Sequence, residues 1–125
     1  PPKPVHWIGS PLDDLKAFPD DVQEVIGYAL YLAQLGGKHP DAKPLTGDPA
    51  FAAPVLEVVE NYDGDTFRAV YTVRFAGSVY VLHAFQKKSR RGIATPKSDI
   101  DRIKARLQTA REDYQRPSEQ AGKSR

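Results

Sequence analysis

Two apolar runs dominate the pattern of hydrophobic and polar positions. Residues 66–75 (TFRAVYTVRF) and 79–85 (VYVLHAF) are rich in β-branched and aromatic side chains and are joined at Ala76-Gly77-Ser78, the composition of two strands around a tight turn. An even-length loop, Ala76-Gly77 or Gly77-Ser78, pairs even positions of the first strand with odd positions of the second, and directly paired residues share a face. One face then carries Phe67, Ala69, Tyr71 and Val73 with Tyr80, Leu82 and Ala84, and is expected in the core. The other carries Arg68, Val70, Thr72 and Arg74 with Val79, Val81, His83, Phe85 and Lys87. Cations and a histidine among apolar side chains are what a site on a sheet requires. A three-residue loop reverses the assignment.

The remaining elements follow from shorter signals. Pro4 to Ile8 fits a short edge strand blunted by prolines. Ser10-Pro11 reads as a helix start, with Asp13 and Asp14 in the first turn, and Phe18-Pro19 as its stop. From Pro19 to Leu35, Val22, Val25, Ile26, Ala29, Leu32 and Ala33 form an apolar stripe at helical spacing, ended by Gly36-Gly37. Tyr28 and Tyr31 on that helix read as packing and rim residues, with no cation near them before Lys38. Residues 38–54, with four prolines, read as loop, 55–60 (VLEVVE) as a strand and 61–65 (NYDGD) as a turn. A last helix opens at Thr95-Pro96 or Ser98 and buries Ile100, Ile103, Leu107 and Ala110. Residues 1–114 are expected to form a single domain and 115–125 a disordered tail without apolar anchors.

Composition narrows the classes. A chain of 125 residues buries roughly two thirds of its unfolded surface as one domain. It has no cysteine, which removes disulfides and thiolate metal sites. There is no apolar run of membrane-spanning length and PPKPVHWIGS has no signal-peptide core, so a cytoplasmic soluble protein that uses no membrane is expected. The formal charge is only +2, but acids gather at Asp13 to Glu24 and Glu57 to Asp65, and cations in the last third. A local positive potential of this kind draws a polyanion or an acidic protein. For Arg102 to Arg111 the expected arrangement is a solvated basic helix face. Asp63 and Asp65 are turn residues with no third ligand at calcium-loop spacing, and no metal or other cofactor is expected.

The order of elements, a short strand, two helices, three antiparallel strands, a basic turn and a helix, predicts an α+β domain with helices over one sheet face. The stretches DLKAFPDDVQEVIGYALYLAQLG, KPLTG, VLEVVE, TFRAVYTV and LHAFQKKSRRGIATP in this order resemble the phage-derived HigB-type toxins of the RelE/ParE toxin–antitoxin superfamily, over residues 5 to 114. The resemblance implies a RelE/ParE-like fold: an antiparallel β-sheet, two N-terminal helices packed on one face, and a C-terminal helix. It implies the toxin component of a type II toxin–antitoxin system, with a cognate antitoxin, the ribosome and mRNA as partners. RelE- and HigB-like members cleave mRNA on the ribosome, whereas ParE-like members inhibit DNA gyrase; a non-catalytic nucleic-acid-binding module is the third reading. By the resemblance, Arg68 matches the arginine of the family's central strand, and Lys88 with Lys87 the basic position at the end of the last strand, both holding the scissile phosphate. The chain departs from the pattern at Glu57, where RelE presents a lysine-bearing strand, so that enzyme's lysine pair does not carry over.

Metal-free RNA cleavage needs a base for the 2′-hydroxyl proton, an acid for the 5′-oxygen and cations against the developing phosphoryl charge. The expected catalytic set is Arg68, His83, Lys87 and Lys88, with His83 as base because its ordinary pKa lies near neutrality and one clustered lysine as acid. The expected RNA-binding set is Lys43, Arg74, Phe85, Arg90, Arg91 and Lys97, with Phe85 stacking a base. The structural alternatives are a hydrogen-bonded histidine in a strand and a core phenylalanine.

Overall fold

The computed structural model describes residues 1–52, 54–87 and 95–116. The expected segments Lys88, Arg90, Arg91 and most of the tail lie outside these. In chain order the elements are β1 (Val5–Trp7), α1 (Pro11–Lys16), α2 (Asp20–Gln34), β2 (Lys43–Pro44), a 3-10 turn (Pro49–Phe51), β3 (Val55–Tyr62), β4 (Asp65–Thr72), β5 (Val79–Lys87) and α3 (Lys97–Gln115). The strands form one sheet in the order β1-β5-β4-β3-β2.

The sheet is mixed. The edge strand expected at the N-terminus is present, but β1 runs parallel to β5 (Val5 opposite Val79, Trp7 opposite Val81), and the other neighbours are antiparallel. The parallel pairing follows from the chain path, because α1, α2, β3 and β4 all lie between the two partners and leave room for a crossover. Within the stretch read as loop, Lys43–Pro44 adds a fifth strand opposite Glu57 and Leu56. Asp63 and Gly64 have φ of 52° and 85°. They form the two-residue turn with left-handed dihedrals that lets β3 and β4 pair from Tyr62–Asp65 up to Val55–Thr72.

The β4–β5 register holds only in part. Thr66 to Val70 pair with Lys87 to His83, even with odd as expected, but Tyr71 then pairs with Val81 and Thr72 with Tyr80. Leu82 is an extra residue, a β-bulge. It moves Tyr80 and Leu82 to the face assigned to Arg68, and Val79 and Val81 to the opposite one. The connection, Val73 to Ser78, is also longer than the assumed loop.

Helices cover both faces. Leu15 and Phe18, at the end of α1, and Val22, Ile26, Ala29, Leu30 and Ala33 of α2 pack on Leu56, Val58, Phe67, Ala69, Tyr71, Val79 and Val81. On the other side the α3 stripe Ile100, Ile103, Leu107 and Ala110 packs on Val55, Val70, Tyr80 and Leu82, with Leu45 and Phe51 closing the edge. The face expected to carry the site is therefore roofed by α3 over half of its length. Ser10 precedes α1 as expected, yet its hydroxyl donates to the Asp14 carboxylate (2.9 Å) and caps no backbone N–H.

Candidate active site on the half-roofed sheet face

Cross-strand pairing sets one row of side chains on the part of the face beyond the α3 stripe. Lys43 lies opposite Glu57, Glu57 opposite Val70, Val59 opposite Arg68, and Arg68 opposite Phe85, so Lys43, Glu57, Arg68 and Phe85 share a face. Arg68 and Glu57 are buried in it and paired through Nη1 and Oε1 at 3.3 Å. The same Nη1 donates to Thr95 Oγ1 at 3.3 Å. Lys43 stands exposed at the sheet edge, and Phe85 and Lys87 are half-buried at the end of β5.

A second polar group adjoins the row. His83 is 3% exposed; its Nε2 lies 2.7 Å from Asp99 Oδ1, and Arg106 Nη1 lies 3.3 Å from its Nδ1. Arginine only donates, so Nδ1 accepts and the ring proton sits on Nε2, directed at Asp99. The ring is stacked on Phe85 at 4.7 Å. Burial holds the His83 pKa below its ordinary value of 6.5 against the opposing effect of the Asp99 hydrogen bond, and the nearby Arg106 and Arg102 lower it further. Both ring nitrogens are thus occupied and the ring is neutral at pH 7. That geometry does not fit the base role expected for it, since neither nitrogen is open to a hydroxyl.

Arg106 is the link between layers. Its Nη1 also donates to the carbonyl of Leu82 (3.0 Å) and its Nη2 to Ser10 Oγ (3.3 Å), so it satisfies a carbonyl of the bulge while tying α3 to β5 and to the start of α1. A Cβ on Gly9, which has φ of 84°, would stand 2.7 Å from the Arg106 Nε; glycine there leaves room for the guanidinium. Burial lowers the Arg106 pKa first, and Arg102 adds to it. The basic face of α3 is accordingly not simply solvated: Arg106 is packed inward, Lys104 pairs with Asp48 at 3.0 Å, and Arg111 lies over the Phe75 ring at 5.7 Å. Between α1, the outer edge of β5 and the first turns of α3, an open cleft of about 340 Å³ is lined by Asp14, Phe18, His83, Phe85, Asp99 and Arg102 among others.

Of the expected residues, the structure brings together Arg68, His83, Phe85, Lys87 and Lys43. It does not bring Arg74 to them: that side chain, in the connection after β4, donates to the Ala50 carbonyl at 2.7 Å, and burial and the Arg111 charge lower its pKa. Lys97 projects from the start of α3 with its side chain 86% exposed, paired to Asp101 at 3.0 Å. Glu57, Thr95, Asp99 and Arg106 were not singled out by pattern as site residues; the one signal was Glu57 itself, an acid on the inward phase of the apolar run VLEVVE. Among the described residues there is no group of three or more His, Asp or Glu side chains arranged to hold a metal, and no helix is long and apolar enough to cross a membrane.

His83 makes stability depend on pH. Its folded pKa lies below the unfolded value, so the unfolded chain binds the additional proton: stability is fully present above about 6.5 and falls as the pH drops from there through the lower folded value. Melting curves between pH 7.5 and 5 are expected to show a steeper loss for the wild type than for His83→Gln.

The chain matches the family described as phage-derived Gp49-like proteins over residues 13–108 and belongs to it. This is a family of RelE/HigB-type toxins, which makes the protein a RelE-like toxin of the toxin–antitoxin class. Among solved structures it is similar to the RelBE2 toxin–antitoxin complex of Mycobacterium tuberculosis, with 17% identity, a TM-score of 0.45, and coverage of 70% of this chain and 94% of that one. No curated protein matches it.

Proposed function

We propose that the protein is a ribosome-dependent mRNA endonuclease that cleaves by attack of a 2′-hydroxyl on the adjacent phosphate. The observation that carries this reading is the buried Arg68–Glu57 pair at 3.3 Å on the sheet face beyond the α3 stripe. Desolvating two charges commonly costs more than their attraction returns, so such a pair is poorly explained by stability. A guanidinium and a carboxylate held side by side are what the reaction needs.

In this reading Arg68, with Lys43 and Lys87 around it, takes the phosphoryl oxygens, an entering phosphate replacing Thr95 on Nη1. The Glu57 oxygen not bonded to Arg68 removes the 2′-hydroxyl proton, the 2′-oxygen bonds to phosphorus, and the 5′-oxygen leaves with a proton from Lys87 or Lys88. Phe85 stacks a base. His83 acts as a positioning residue: it supports the Phe85 ring and, through Asp99 and Arg106, fixes α3 against the site.

A cognate antitoxin is the expected partner, in keeping with the family and with the complex in which the similar structure was solved. Its co-purification with the neighbouring gene's product checks this. Mapping transcript ends after incubation with purified translating ribosomes tests the activity. New ends that disappear without ribosomes support it; intact mRNA with blocked DNA supercoiling would replace it by gyrase inhibition.

A further inference from the structure

The outer face of α2 lies away from the Arg68 site, and nothing in the proposed reaction uses it. Its exposed residues Asp20, Glu24, Gly27 and Tyr31 and the C-cap Leu35 follow at spacings of 4, 3, 4 and 4, with Asp21 and Tyr28 beside them, a stripe of the kind that meets another helix. Tyr28, Tyr31 and Leu35 are 53%, 49% and 54% exposed; the other large hydrophobic side chains exposed among the described residues are Tyr62 and Tyr114. Three such side chains on one helix face form a contiguous apolar patch.

Gly27 adds an independent observation. It sits in the middle of a 15-residue helix, and a Cβ there would meet nothing within 4 Å. Glycine disfavours the helix, and no contact among the described residues requires it. A gap in the side-chain cover at mid-helix is what lets a second backbone or a large side chain come close.

Charge selects the occupant. The stripe begins with Asp20, Asp21 and Glu24, and cations stand toward the other end: Lys38 follows it in sequence, and the backbone of Lys3 is joined to Gln34 by bonds of 3.0 and 2.7 Å. The face is therefore complementary to itself when reversed. In an antiparallel pair with a two-fold axis at the level of residue 29, Tyr31 of each copy would enter the Gly27 gap of the other, Asp20 and Asp21 would face Lys38, and the helix dipoles would oppose.

We propose that this face joins two copies of the chain through antiparallel α2 helices. A single helix face is smaller than a standard interface, so the pair is weak, dissociating in the range of roughly 10–100 µM. Sedimentation of the full chain from about 1 µM to 1 mM should show a concentration-dependent shift from monomer to dimer. Gly27→Arg and Tyr31→Arg should each weaken the dimer by at least tenfold while leaving the melting temperature unchanged or, for Gly27→Arg, higher. Asp20→Lys with Asp21→Lys should weaken it, and Lys38→Glu added to them should restore it. A chain that stays monomeric throughout, a dimer indifferent to both arginine variants, or a face that binds only a different protein would each overturn the proposal. The measurement reads association, so it stands or falls separately from the nuclease activity.

Discussion

Glu57→Gln is expected to lower single-turnover cleavage by about two to four orders of magnitude while leaving the affinity for ribosomes nearly unchanged. Glutamine keeps the size of the side chain and an oxygen for Arg68 Nη1, which lies 3.3 Å from Glu57 Oε1, but it cannot take a proton from a hydroxyl. His83→Gln is the control. If His83 only supports Phe85 and α3, its loss lowers the melting temperature and reduces activity by a factor of ten or less at a temperature where the variant is folded. A folded Glu57→Gln protein that cuts at the wild-type rate, beside a folded His83→Gln protein that does not cut, would return the base role to the histidine and require Arg106 to leave its Nδ1.

The second large effect separates stability from activity at the same pair. Arg68→Met alone leaves the Glu57 carboxylate buried without its partner and should destabilise the fold by about 3–5 kcal/mol. The double variant Arg68→Met, Glu57→Leu removes both charges from a face that already holds Val55, Val59 and Val70. It should recover most of that loss, because well-packed apolar residues replace a buried ion pair at little or no net cost. It should nonetheless be inactive. Chemical denaturation of the wild type, both single variants and the double variant gives the coupling energy, and cleavage assays on the same proteins give the function. A double variant as unstable as the worse single variant would show that the pair is held for packing or hydrogen bonding, and an active one would exclude both residues from the reaction.

Much of the architecture was legible because it rests on local periodicity. The α2 positions Val22, Ile26, Ala29 and Ala33 and the α3 positions Ile100, Ile103, Leu107 and Ala110 repeat at helical spacing, and all of them are buried; Asp63-Gly64 specifies its own turn. The alternation in β4 likewise set Arg68 and Val70 on one face and Phe67, Ala69 and Tyr71 on the other.

Local pattern alone thus gave the three helices, the three long strands and the N-terminal edge strand, the two apolar stripes of the long helices, and the family that the motifs resemble, but not the short strand Lys43–Pro44. The fold alone shows the phase of β5 beyond His83, where Leu82 bulges out of register and its carbonyl accepts from Arg106, 24 residues away. It alone decided that β1 lies parallel to β5, and that Glu57 and Arg68, eleven positions apart, meet. It alone set Asp99 and Arg106 on the two nitrogens of His83. One cause is common to these cases. Periodicity reports which face of an element is apolar, but whether a polar group on that face is open or occupied depends on partners brought from distant segments, and those partners decide what the group can do.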